Sequence, residues 1–161
     1  MNYSIFNKVY EENKKLDDMF INSFTDSKMY KKNKLELLVE IGELANETRY
    51  FKYWSNKKMN IDLVKGEFAD CIIMALYFFD VFNVSLAEEF VKVDDFDNVD
   101  IFARLYELGI IFYKDDNKDI IKEFFSTLIT LGYIIGFTDE DIIDFTLAKI
   151  ERNKERFEEG F

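Results

Sequence analysis

Not one proline interrupts these 161 residues. At ordinary usage a chain of this length would carry roughly eight. Proline removes a backbone donor and clashes with the turn before it, so its absence leaves every helical segment free to run unbroken. The apolar residues use that freedom. Tyr3, Phe6, Val9, Tyr10, Leu16, Met19 and Phe20 recur near three- and four-residue spacing over residues 3–22, the period of an amphipathic helix. The same period predicts helices over about 33–54, 61–83, 99–113 and 119–135. Thr138-Asp139-Glu140-Asp141 resembles a capping box opening a last helix, and Ser85-Leu86-Ala87-Glu88 predicts another by the same signal. Gly136 fits a helix C-cap. Residues 93–100, VDDFDNVD, read as an acidic connection, and no two-residue hairpin turn separates alternating segments. The expectation is an all-α fold: a single domain, 1–161, built as a bundle of about six to seven helices.

A second absence limits the chemistry. There is no histidine, which removes imidazole bases, catalytic triads and His-ligated zinc or iron sites. The lone cysteine, Cys71, excludes an internal disulfide and suits a reducing compartment, so a cytoplasmic location is expected. Thirty-two acidic against 21 basic side chains leave a net charge of −11. Such a surface repels phosphate backbones and anionic lipid, so neither nucleic acid nor a membrane is an expected partner. It attracts divalent cations, which prefer carboxylate oxygen. The first residues, MNYSIFNKVYEENKK, lack the apolar core of a secretory signal, and no apolar run reaches the ~18 residues of a membrane span.

Glu36, Glu40, Glu43 and Glu47 of the second predicted helix fall within an arc of roughly 60° at about 100° per residue. Alone, that pattern describes a surface helix with an acidic outer face. The third helix is different. Glu67 and Asp70 share a face of a segment, CIIMALYFF onward, that is apolar nearly all round, and a helix apolar all round is buried. Buried carboxylates cost several kcal/mol each unless a cation pairs with them. That cation is either Lys/Arg or a metal. Two helices carrying Glu-x-x-Glu and Glu-x-x-Asp can present four carboxylates to one centre, an oxygen site suited to Mg²⁺ or Mn²⁺. The competing di-iron bundle site needs Glu-x-x-His pairs, and this chain cannot supply them.

The run Leu38-Val39-Glu40-Ile41-Gly42-Glu43-Leu44-Ala45-Asn46-Glu47-Thr48-Arg49-Tyr50-Phe51-Lys52-Tyr53-Trp54-Ser55 resembles the signature of the dimeric all-α dUTPases. That family belongs to the all-α NTP pyrophosphatases that include MazG-like enzymes. Glu67-Phe68-Ala69-Asp70 stands where the superfamily has its second acidic pair. Lys149, Asn153, Arg156 and Phe161 resemble its C-terminal phosphate-binding segment, and Asn13 with Asp17 resembles a first-helix polar pair that reaches uracil. The likeness spans residues 13–161.

The resemblance implies a helical homodimer that hydrolyses dUTP to dUMP and pyrophosphate with Mg²⁺. Glu40, Glu43, Glu67 and Asp70 would hold the metal, and a metal-activated water assisted by Glu43 would attack the α-phosphorus in line. Lys149, Asn153 and Arg156, with Lys52, would bind phosphate. Asn13, Asp17, Trp54, Asn46 and Met74 would surround the nucleoside. Four departures bear on substrate choice. Asn13 and Asp17 stand where relatives often carry Gln and Asn; Met74 replaces an aromatic or polar residue; Phe157 stands where Gln is frequent; and Phe161 replaces a terminal Tyr. They leave room for a broader pyrophosphatase acting on dUDP, dCTP or modified nucleotides, or for a non-catalytic helical interaction protein on the same scaffold. Phe102, Leu105, Leu108, Ile111, Phe112, Phe124, Phe125, Leu128 and Ile129 offer apolar surface for dimerisation.

Overall fold

A computed structural model describes residues 1–160, so Phe161 and its expected part in phosphate binding lie outside the described residues. A short 3-10 turn, Tyr3–Phe6, leads into α1 (Asn7–Ser23). Then follow α2 (Met29–Thr48), α3 (Ile61–Val81), α4 (Asp100–Lys114), α5 (Lys118–Ile135) and α6 (Asp139–Glu159). Among the described residues there is no strand, only an isolated bridge between Asn2 and Glu89. The all-α expectation holds. No single helix among these residues is long and apolar enough to cross a membrane.

Helix α3 is the axis of the bundle. It lies against α1, α2, α5 and α6, which is why its sequence is apolar nearly all round. Val64, Phe68, Ile72, Ala75, Phe78 and Phe79 are fully buried on it. Asn60 starts the helix, its side chain accepting from the amides of Asp62 and Leu63. Phe78 meets Phe112 edge-on, and Phe79, Phe125, Phe6 and Tyr3 form a second aromatic cluster. Each such ring contributes about 1.5–3 kcal/mol by leaving water. Two close crossings complete the packing. A Cβ at Gly109 of α4 would meet Leu38 Cδ2 of α2 at 2.7 Å, and one at Gly132 of α5 would meet Phe68 Cζ of α3 at 2.9 Å.

The caps at the far end follow the sequence. Thr138 and Asp141 form a reciprocal capping box, and Gly136 ends α5 at φ 112°. Three expectations need correction. Helix α2 begins at Met29 and stops at Thr48 rather than running to Trp54. Arg49 takes the left-handed conformation at φ 62°, and its guanidinium donates to the Lys57 carbonyl and Ser55 Oγ. Those bonds hold a non-glycine residue in a region it seldom enters. Ser85–Glu88 makes one turn and no helix. The backbone beyond it pairs with the N-terminus instead, Tyr3 N–H to Glu88 O and Phe90 N–H to Met1 O. The residues offered for dimerisation are core residues: eight of the nine are at most 8% exposed, and only Ile111, at 38%, reaches the surface.

Candidate functional site

The fold turns the spacing of α2 and α3 into one wall of a cleft of about 440 Å³. Helices α2 and α3 run antiparallel: Glu40 and Glu43 face Glu67 and Asp70, while Asn33, farther back along α2, hydrogen-bonds with Tyr77 of α3. Asn33, Glu36, Glu40 and Glu43 all line the cleft from α2, and Asp70, Ile73, Met74 and Tyr77 line it from α3. Leu16, Asp17, Phe20 and Ile21 come from α1, and Asn153 and Arg156 from α6. Lys154 of α6 reaches Glu12 of α1 at 2.8 Å and ties those two helices together.

One end of the cleft is a cluster of carboxylates. Glu40, Glu67 and Asp70 each bring an oxygen within 4.8 Å of the others. Burial raises the pKa of all three, and mutual repulsion raises Glu40 and Glu67 further through Asp70 and Glu43. Glu43, exposed at the edge, stands within hydrogen-bonding reach of both Glu40 and Glu67. Asp70 also rises although Lys149 Nζ lies 3.1 Å from its Oδ2, because burial outweighs that pairing. One oxygen each of Glu40 and Glu67 is buried with no hydrogen-bond partner. Buried carboxylate oxygens without donors carry an unrelieved desolvation cost. A divalent cation relieves it, and hard oxygen ligands are the set that Mg²⁺ or Mn²⁺ takes. The residues fit a metal.

The other end has a different chemistry. Phe20, Ile21 and Met29 supply apolar wall, and Asp17, Asn33 and Tyr77 supply polar groups. Burial, then repulsion from Asp80 and Asp18, pushes the Asp17 carboxyl up to about 8. Asp80 is itself held by the Tyr10 hydroxyl at 3.2 Å and lies 4.0 Å from Lys14 Nζ. Asn13 is buried behind this end, its amide donating to the Ile73 carbonyl at 3.1 Å and lying 3.5 Å from Asp17 Oδ2.

The expected site residues therefore divide. Glu40, Glu43, Asp70, Asp17, Met74, Asn153 and Arg156 line the cleft. Glu67 joins the carboxylate cluster, Lys149 pairs with Asp70, and Asn13 sits behind Asp17. Lys52, Trp54 and Asn46 do not line it. Lys52 Nζ lies 5.7 Å over the Phe51 ring, Trp54 is 64% exposed against Phe51 and Tyr53, and Asn46 is exposed on α2. Asn33, Glu36 and Tyr77 are cleft residues that sequence reasoning passed over. For Glu36 a signal existed, its place in the acidic arc; for Asn33 it was the three-residue step back from Glu36.

The all-α bundle thus holds a cleft with carboxylates gathered at one end and apolar wall with hydrogen-bonding groups at the other. The sequence model of the dUTPase family matches residues 5–161, and the chain belongs to that family. Its activity is dUTP hydrolysis and its substrate a deoxynucleotide. No curated protein shows a significant match to the chain.

Proposed function

We propose that the protein hydrolyses dUTP to dUMP and pyrophosphate with Mg²⁺, working as a cytoplasmic homodimer. The observation that carries this reading is the convergence of Glu40, Glu67 and Asp70 within 4.8 Å, with one buried oxygen each of Glu40 and Glu67 left without a hydrogen-bond partner. Glu40, Glu43, Glu67 and Asp70 would hold the metal, which supplies charge neutralisation on the phosphates and acidifies water. The phosphates lie at that end, gripped by Lys149, Asn153 and Arg156 of α6. Lys149 already sits against Asp70, so it can exchange that partner for a phosphate oxygen. Glu43 is the exposed acid of the cluster; it orients the attacking water and takes its proton as the oxygen closes on the α-phosphorus. Phosphoryl chemistry needs little more than such positioning and charge stabilisation. Asp17, with Asn13 behind it and Met74 beside it, meets the nucleoside at the far end. Lys52, Trp54 and Asn46 would act from the α2–α3 loop side, beyond the carboxylates.

A Glu43→Gln variant tests the catalytic account. Pyrophosphate release from dUTP is expected to fall about 10²–10⁴-fold, the usual loss of a general base. Unchanged release would leave a helical scaffold without this chemistry. One observation favours a wider substrate range. A carboxyl with a pKa near 8 is mostly protonated at pH 7, and Asp17 then offers one donor and one acceptor. Uracil presents N3–H and the O4 acceptor; cytosine presents N3 and the N4 amino donor. The neutral acid suits either face. Comparing kcat/KM for dUTP, dUDP and dCTP decides between a dUTP-selective and a broader pyrophosphatase.

A further inference from the structure

We propose that Glu36 accepts a hydrogen bond from the 3′-hydroxyl of the bound deoxynucleotide and so reads its sugar. The inference rests on the dUTP reading above and adds a residue to it. Asn33, Glu36, Glu40 and Glu43 line the cleft from one face of α2. Their order along the helix is an order along the ligand. Glu40 and Glu43 belong to the carboxylate end, where the phosphates go, and Asn33 with Tyr77 belongs to the end that offers apolar wall and hydrogen bonds to a ring. Glu36 lies between them, about 6 Å along the axis from Glu40 and about 4.5 Å from Asn33. A nucleotide that spans the cleft must set its sugar there.

Glu36 lies outside the three-residue oxygen cluster, although burial and then repulsion from Asp70 and Glu43 raise its pKa. The oxygens that cluster within 4.8 Å come from Glu40, Glu67 and Asp70, one turn farther toward the phosphate end. A carboxylate lining a cleft for a polyanion works against binding unless the ligand brings it a donor. The 3′-hydroxyl is the donor a deoxynucleoside carries at that level, since the 2′ position has only hydrogen. An ionised carboxylate is acceptor-only, and hydrogen bonds to it are of the stronger, charge-assisted kind.

The test pairs a substrate change with a residue change. Wild-type enzyme with Mg²⁺ is expected to prefer dUTP over 2′,3′-dideoxy-UTP by about 10–100-fold in kcat/KM, the range for losing a hydrogen bond to a charged group. Glu36→Ala, at an exposed position on the cleft wall, should lower dUTP turnover to the dideoxy level while leaving the dideoxy substrate nearly unchanged. Glu36→Gln, which keeps an acceptor oxygen, should restore part of the preference. Equal losses on both substrates would assign Glu36 a structural or general electrostatic role and overturn the inference. So would a shifted Mg²⁺ requirement with the preference intact, which would make Glu36 a metal ligand. A wild type that hydrolyses dUTP and its dideoxy analogue equally overturns this inference alone. A wild type that hydrolyses neither overturns the dUTP reading beneath it.

Discussion

Lys34 and Glu40 lie less than two turns apart on α2, both withdrawn from water, with opposite surroundings. Lys34 is 7% exposed and fully provided for: its ammonium pairs with Asp116, donates to the Tyr113 carbonyl at 3.4 Å, and lies over the rings of Tyr30 and Phe112 at 4.7 and 5.2 Å. Glu40 faces Asp70 and Glu43, and one of its oxygens is buried without a donor. The first arrangement bolts the start of α2 to the α4–α5 connection, and a bolt has every valence used. The second leaves charge unbalanced inside a rigid frame. Tolerating such a cluster makes sense where a cation arrives later. Burial alone thus does not separate a charge already paired from one left without a counter-charge; the sign of the neighbours does.

The largest effect that tests this contrast is on the carboxylate side. Glu40, Glu67, Asp70 and Asp17 all hold their protons more tightly folded than unfolded. Their contribution to stability is fully present below the unfolded carboxylate range, near pH 4. It is lost as pH rises through the folded values, about 8 for Asp17. Glu12, Asp26, Asp97 and Asp141 are shifted the other way, so their contribution is already complete above pH 4–5 and adds no slope beyond it. Metal-free protein should therefore lose thermal stability steadily between pH 5 and 8.5. Mg²⁺ at one fixed concentration, about a hundred times its dissociation constant at pH 8, should raise the melting temperature by about 5–10 °C at that pH, and by less at pH 5.5, where protons compete for the same oxygens. Scanning calorimetry with and without Mg²⁺ at the two pH values measures this. An equal rise at both would break the contrast, because the cluster would then not be the place where the metal binds.

How much of this was legible beforehand differs along the chain. The carboxylate end was readable because two constraints coincide in the sequence: Glu67 and Asp70 lie in a helix too apolar to be anything but buried, and Glu40 and Glu43 repeat their spacing on the neighbouring helix. The far end of the cleft was not, since Asn33 and Tyr77 acquire meaning only when α2 and α3 run antiparallel. Local periodicity also overran α2. Phe51 and Trp54 continue an apolar pattern, yet side-chain bonds from Arg49 to Ser55 and Lys57 turn the backbone six residues early, a tertiary effect that no helix propensity encodes. Apolar residues of α4 and α5 were visible; that they face inward was not, because the period shows that a stripe exists and not what covers it.

On the bolt side a smaller effect is expected, and on stability alone. Lys34→Ala removes the ammonium and the stem that lies over Tyr30 and Phe112. Its ionic partner stays hydrated, since the Asp116 side chain is 53% exposed, which keeps the loss to about 1–3 kcal/mol. Lys34→Met, which keeps the stem, should lose less. Neither variant should move kcat/KM for dUTP in folded protein, as Lys34 does not line the cleft. Urea titration read beside a pyrophosphate-release assay separates the two quantities. A drop in turnover without a drop in stability would bring Lys34 into the site and erase the distinction.

The smallest expected effect concerns the aromatic turn that follows α2. Trp54 is 64% exposed and touches Phe51 and Tyr53 edge-on, with ring centroids 6.0 and 5.2 Å apart. Edge-to-face pairs are worth about 0.5–1.5 kcal/mol when buried, and rings this open to water keep the low end of that range. Trp54→Ala should change folding stability by no more than about 0.5 kcal/mol, measured by the same urea titration. The turn keeps its shape without the indole, because Arg49, Ser55 and Lys57 set it through the guanidinium bonds. A raised KM for dUTP on that unaltered fold is then the signature of a side chain that meets the nucleotide from the loop. A loss well above 1 kcal/mol would instead make Trp54 a second bolt, placed where the surface gives it almost nothing to hold.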